Sequence, residues 1–299
     1  MRRRIISALA GAVVLGAGAF TPAAQATGAA GEGAAAACSL SVGSVTAAGA
    51  HTSAEVTAGT PPTMSAPSST PGVFAPGQAR LSSSFVFEPS VGGVDHSGWT
   101  VLGDSLYYRY YNFNEGANIL TRIGGGWSSF TALEVAQYDS DKAYHTLAYG
   151  LRSDGTLFRW NISSGTWRIA GSATGFAAVK SMALISKTAT YDTFLANTRG
   201  GALYTIHIPT TSPMKPVVKP VRTRTWQGFD KLIASKCGNY GTLLLGIDKD
   251  TKTGYLYAVG HAKGTSTVIN ALGKVNGTFP DPVYFRWGVV PYLDPLNGE

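Results

Sequence analysis

Charge is sparse in this 299-residue sequence: Asp, Glu, Lys and Arg make up 14%, against 37 glycines and 11% aromatic residues. No stretch keeps apolar residues at helical spacing for three turns, which excludes a helical core. Only two cysteines occur, without a CxxC pair and without a histidine close by, so a structural zinc site and a redox dithiol both lack their ligand spacing. Beyond residue 20 no run of ~20 apolar residues appears, and stable membrane insertion is not expected. A nucleophile-elbow phrase is missing too. Nucleic-acid binding calls for a basic stripe, and the one candidate is Lys215–Arg224, "KPVVKPVRTR". Proline alternating with lysine in this way suits a solvent-facing edge strand, a polyanion site being the alternative. No cofactor, metal or nucleic-acid partner is therefore expected.

What is present begins with an export signal. Arg2, Arg3 and Arg4 form a basic n-region, Ile5–Phe20 is a short apolar run, and Ala24-Gln25-Ala26 supplies a small-x-small cleavage pattern. Cleavage after Ala26 and secretion follow as expectations; the arginine pair leaves the Sec and twin-arginine routes both open. Removing the three signal arginines leaves 21 basic against 17 acidic residues, a surplus of +4. In an exported chain Cys38 and Cys237 read as one disulfide, two buried thiols being the alternative.

The remaining chain divides by composition. Residues 27–37 ("TGAAGEGAAAA" and its surroundings) are read as a disordered lead, and residues 38–95 as an N-terminal β segment. Its alternating runs flank a proline- and serine-rich connector. From about residue 96 short β runs recur among glycines and aromatics. One phrase repeats: Asp104-Ser105-Leu106-Tyr107, Gly155-Thr156-Leu157-Phe158, Gly201-Ala202-Leu203-Tyr204 and Gly254-Tyr255-Leu256-Tyr257, spaced 51, 46 and 53 residues apart. Another β run precedes each copy and two follow it. Four runs every ~50 residues is the signature of a β-propeller blade. The sequence thus predicts an all-β propeller over residues 96–293 with a C-terminal tail at 294–299. It has four four-stranded blades, or five if the N-terminal strands form a blade without a visible copy of the phrase. Val283–Val290, with no repeat behind it, is expected to close the ring as the inner strand of the first leucine–aromatic blade.

The stretch "RIGGGWSSFTAL" followed by "LRSDGTLFRW" resembles the tachylectin-type β-propeller lectins, and the resemblance spans roughly Gly98–Val290. It implies a five-bladed ring and binding of N-acetylated amino sugars in pockets between blades, so glycans or a cell-surface polysaccharide become the expected partners. In a propeller the loop before each inner strand shares one rim with the turn between the second and third strands. Trp127 and Trp226 belong to that rim either as wedges between sheets or as stacking floors for a sugar ring. Trp167 is expected to pack. Arg152, Asp154, Arg199 and Asp248 lie in rim turns and are candidate ligand-binding residues, or ordinary turn residues. Asp248 and Asp250 give only a weak hint of calcium, and no metal site is assigned.

Three classes of function remain open. A secreted, non-catalytic carbohydrate-binding propeller leads, followed by a structural or protein-interaction propeller. A glycoside hydrolase comes last: it needs carboxylates a few ångströms apart near the axis, for which Glu134, Asp230 and Asp281 are weak candidates.

Overall fold

The computed structural model describes residues 37–90, 93–140 and 143–299. The expected export signal at 1–26 and the lead through residue 36 lie outside these described residues. Antiparallel strands build five sheets. Blade 3 runs Phe130–Ser140, Ala143–Arg152, Leu157–Asn161 and Arg168–Ala173, from inner to outer strand. Blade 4 follows as Val179–Lys187, Tyr191–Thr198, Leu203–Pro209 and Val217–Arg222, and blade 5 as Lys231–Cys237, Gly241–Asp248, Thr253–Val259 and Ile269–Lys274. In blade 2 the inner position is shared by Ala79–Ser82 and Val86–Ser90, both paired to Gly93–Leu102, with Ser105–Asn112 and Ala117–Gly124 outside. Blade 1 joins the two ends of the described chain. Val283–Arg286 is its inner strand, Ser39–Val45 and His51–Thr57 come next, and Thr63–Met64 and Ser68–Thr70 share the outer position. The inner strands contact one another in a closed cycle. The protein is a five-bladed β-propeller.

The closing strand differs from expectation. It pairs with Ser39–Val45, in the register Val42 to Arg286 and Val45 to Val283, rather than with the first leucine–aromatic blade. That blade already has inner strands of its own, and pairing with Ser39–Val45 removes a strand edge that would otherwise stand open. The fifth blade is therefore made of the N-terminal strands.

Each gap between neighbouring blades holds an apolar cluster, and the gap between blades 2 and 3 holds two. One large aromatic enters each gap from the connection between blades: Phe74, Trp127, Phe176, Trp226 and Phe279, all at most 8% exposed. Fully burying such a side chain stabilises by roughly 1.5–3 kcal/mol. The backbone repeats where the side chains vary. The N–H of each wedge residue donates to a carbonyl in the rim turn of the preceding blade: Phe74 to Gly49, Trp127 to Asp104, Phe176 to Gly155, Trp226 to Gly201 and Phe279 to Lys252, at 2.9–3.0 Å.

β-Bulges reinforce these connections. Register shifts at the start of three inner strands leave Arg80, Thr131 and Lys180 out of the ladder, and a bulge turns such a residue in a new direction. Arg80 donates to the Trp127 and Ser128 carbonyls at 3.2 and 2.9 Å, and Lys180 donates to the Gln227 carbonyl at 2.8 Å.

A disulfide links Cys38, just before the second strand of blade 1, to Cys237 at the end of the inner strand of blade 5. Residues 291–299 then pack onto other blades. Pro291–Leu293 forms a 3-10 turn against the inner strand of blade 3, and Leu296 is buried between blades 3 and 4. Gly298 donates to the Ile185 carbonyl of blade 4 at 2.9 Å.

Candidate functional site

The run Gly124-Gly125-Gly126 carries the chain from the outer strand of blade 2 back towards the axis. Only Gly126 is left-handed, with φ of +84°. It sets up a small cradle around Asp104, whose carboxylate accepts the Gly126 and Ser128 N–H groups at 3.3 and 2.7 Å while its carbonyl takes the Trp127 N–H. Those bonds, led by the one from Ser128, hold the Asp104 carboxyl below its ordinary pKa. So fixed, Trp127 is only 6% exposed, its ring 4.3 Å from Phe130 and 5.4 Å from Trp160. It packs against Val101 and Leu106 of blade 2 and Leu133 of blade 3. Trp226, 5% exposed, sits likewise between blades 4 and 5 on Phe229 and Tyr257. Both tryptophans are wedges in this structure, and neither offers an open face on the rim.

The charged rim residues bond within their own turns and connections. Arg152 holds Asp154, Nε to Oδ2 at 3.0 Å, and stacks over Phe158 at 5.1 Å. The Arg152 guanidinium keeps the Asp154 carboxyl well below the usual carboxylate range. Arg199 donates to the Ala177 carbonyl. Asp248 accepts the N–H groups of Asp250 and Thr251 at 3.0 Å each, and the Thr251 bond leads in lowering its pKa.

The three candidate acids each hold a different partner. Glu134 takes the Lys231 ammonium at 2.9 Å, reaching from blade 3 to blade 5. Asp230 pairs with Lys180 at 2.8 Å and accepts the Lys249 N–H at 2.9 Å. Asp281 accepts the Ser44 hydroxyl. Glu134 and Asp230 are thus neutralised by lysines.

An open groove lies elsewhere, between blades 2 and 3. It encloses about 530 Å³ and is lined by Trp99, Tyr108, Trp167 and Tyr144 together with Gln137, Thr146 and Ser163. Trp99 and Tyr108 are cross-strand partners, with ring centroids 5.5 Å apart. Trp99 meets Trp167 edge-on at 6.3 Å, and Trp167 meets Trp160 at 5.6 Å. Buried Trp127 backs this stack, its centroid 6.0 Å from Trp167. Tyr144, 57% exposed, stands at the groove wall. Its hydroxyl accepts a hydrogen bond from Thr146, whose own N–H donates to the Ser163 hydroxyl at 2.8 Å. The side chains of Glu88 and Gln137, two ladder residues, also face this space.

Trp167, expected to pack, both packs and lines the groove. The repeated phrase gives no signal for Trp99, Tyr108 and Tyr144, because they lie on strands outside it or beyond its last residue. The readable signal is the period of two in "GWTVL" and "LYYRYY", which puts Trp99 and Tyr108 on one sheet face across the hairpin.

No family model matches the chain, and no curated protein matches it. Among solved structures it is similar to the SapL1 lectin in complex with α-methyl fucoside: 8% identity and a TM-score of 0.42, over 79% of this chain and 96% of that one. It is similar also to the fucose-specific lectin from Aleuria aurantia, at 12% identity and a TM-score of 0.41 over 78% of each chain. The WD40 domain of SCAP from fission yeast gives 10% identity and a TM-score of 0.35, over 80% of this chain and 70% of that one.

Proposed function

We propose that this protein is an exported, non-catalytic glycan-binding propeller whose binding site is the groove between blades 2 and 3. The groove itself carries the reading: about 530 Å³ of open space that joins the Trp99, Tyr108 and Trp167 rings to the amide of Gln137 and the hydroxyls of Thr146 and Ser163. A sugar presents an apolar C–H face and hydroxyls in fixed directions, so aromatic planes beside a few hydrogen-bonding groups suit it. N-acetylated amino sugars fit in particular. Their acetamido methyl packs on an indole while the acetamide N–H and C=O meet Gln137, whose own amide both donates and accepts. The tachylectin-type resemblance of Ile123–Leu133 supports the same class of ligand. Trp127 then acts as a positioning residue behind Trp167, and Trp226 as a wedge in its own gap. Arg152, Asp154, Arg199 and Asp248 lie in turns at the other end of the strands and are candidate contacts for a separate glycan on that rim. The Cys38–Cys237 bridge supports export to an oxidising compartment.

A glycan array probed with the mature protein tests the reading. The array includes N-acetylated amino sugars and 6-deoxy sugars such as fucose, which also present a methyl group. Trp99→Ala and Tyr108→Ala are expected to weaken binding about tenfold or more; Tyr108→Ala, outside the apolar clusters, should do so with little loss of thermal stability, whereas Trp99→Ala also removes packing. Trp127→Ala is expected to lower stability by about 3–5 kcal/mol. Glycan binding unchanged in both groove variants, or an empty array, overturns the assignment. Burial of both Trp127 and Trp226 favours the second reading, a scaffold or interaction propeller, and an empty array would leave that one standing.

A further inference from the structure

A second cleft of about 390 Å³ lies between blades 5 and 1, separate from the groove above. Most of its surface is apolar: Val42, Met64, Phe279 and Tyr284 are among its lining. Asp281 is the one charged side chain there. The Ser44 hydroxyl donates to its Oδ2, and Ser44 also meets the Thr52 hydroxyl. No lysine, arginine or histidine lies within ion-pair distance of Asp281 among the described residues. Lys249 comes to the same corner, but its ammonium is held on the Pro282 carbonyl at 2.6 Å. The Tyr284 hydroxyl accepts the Asp281 N–H at 2.8 Å, and burial pushes its phenol far above the ordinary value, so it stays neutral. The half-buried Asp281 side chain accepts one hydroxyl and, among the described residues, no cation, and a ligand that supplies a cation gains a charge-assisted hydrogen bond there.

We propose that this cleft binds a small organic ammonium ion, its –NH₃⁺ on the Asp281 carboxylate and its apolar body against Met64, Pro67 and Pro280. The rings of Phe279 and Tyr284, 5.7 Å apart and edge-on, are buried and form the floor beneath it. The site is independent of the glycan reading, since the two share no lining residue.

Calorimetric titration of the full mature chain at pH 7 with phenethylamine and with its uncharged counterpart, 2-phenylethanol, tests the assignment. The amine is expected to bind at least tenfold more tightly than the alcohol, and Asp281→Asn to remove that preference while leaving the melting temperature and the array profile unchanged. Thr278→Trp, at an exposed lining position, should block both probes. Equal affinity for the two probes, a preference that survives Asp281→Asn, or no binding of the amine overturns the proposal. If Asp281→Asn fails to fold, Thr278→Trp and the amine-to-alcohol ratio of the unaltered chain decide it.

Discussion

His51 stands where blades 3 and 4 place Leu157 and Leu203. The turn before it closes with Thr46 N–H to Ala50 O and Gly49 N–H to Thr46 O, the pattern that Arg152, Thr156 and Gly155 repeat in blade 3. An imidazole at 1% exposure in a leucine's place must stay neutral. Burial, with His96 and Arg109 adding to it, lowers the His51 pKa to about 3, and its Nδ1 lies 2.9 Å from the Tyr111 hydroxyl. The folded-state value lies below the unfolded one of 6.5, so between these pH values the unfolded chain holds a proton that the fold does not. Stability from this site is complete above pH 6.5 and falls as the pH drops towards 3. Denaturant unfolding at pH 7, 6, 5 and 4 should show the decline, and His51→Leu should remove about 1.4 kcal/mol per pH unit of it. Leaving the Tyr111 hydroxyl unpartnered costs roughly 1–3 kcal/mol at every pH, so the slopes carry the comparison. An identical slope in the variant would assign the acid sensitivity to other groups.

At the scale of the blade, the rim turn and the next wedge form one unit. Gly155 shows why: its φ is +84°, and a Cβ there would lie 2.2 Å from the Ala177 nitrogen, beside the Phe176 wedge. Gly155→Ala is therefore expected to destabilise by about 2 kcal/mol or more, read as a lower denaturant midpoint with an unchanged slope. Gly103→Ala, at φ of +57° but with open space around it, should cost less. These units also decide what the sequence reveals. Leu106, Leu157, Leu203 and Leu256 are all buried to within 1% exposure and mark four blades plainly. The fifth copy is Gly49-Ala50-His51-Thr52, which preserves the turn and loses both diagnostic side chains. Its wedge, Phe74, lies inside a proline-rich connector that reads as linker. The wedge role of Trp127 and Trp226 is one of two readings open to the sequence, because burial at a connection depends on the neighbouring blade. The groove is harder still to read: Trp99 and Trp167 come from different blades, and no local spacing brings them together.

At the scale of the whole molecule, closure rests on three devices near one another. Val283–Arg286 pairs with Ser39–Val45, the disulfide ties blade 1 to blade 5, and Asp294 receives Lys187 of blade 4 at 3.3 Å and Arg286 of blade 1 at 2.9 Å. The disulfide spans 199 residues, and a loop of that length gives roughly 5 kcal/mol in the chain-entropy model. Cys38→Ser should lower the unfolding free energy by up to this amount in denaturant titrations under oxidising conditions. Equal stability of variant and parent would show that strand pairing alone closes the ring. Closure by the last inner strand also imposes a waiting time on synthesis. At roughly 5–20 residues per second, the stretch between the two cysteines takes on the order of ten seconds or more to emerge. Through that interval Ser39–Val45 has neither its inner partner nor its covalent tether, and its bare edge can recruit a foreign strand. A chain built in this way depends on whatever shields its first strand until its last one arrives.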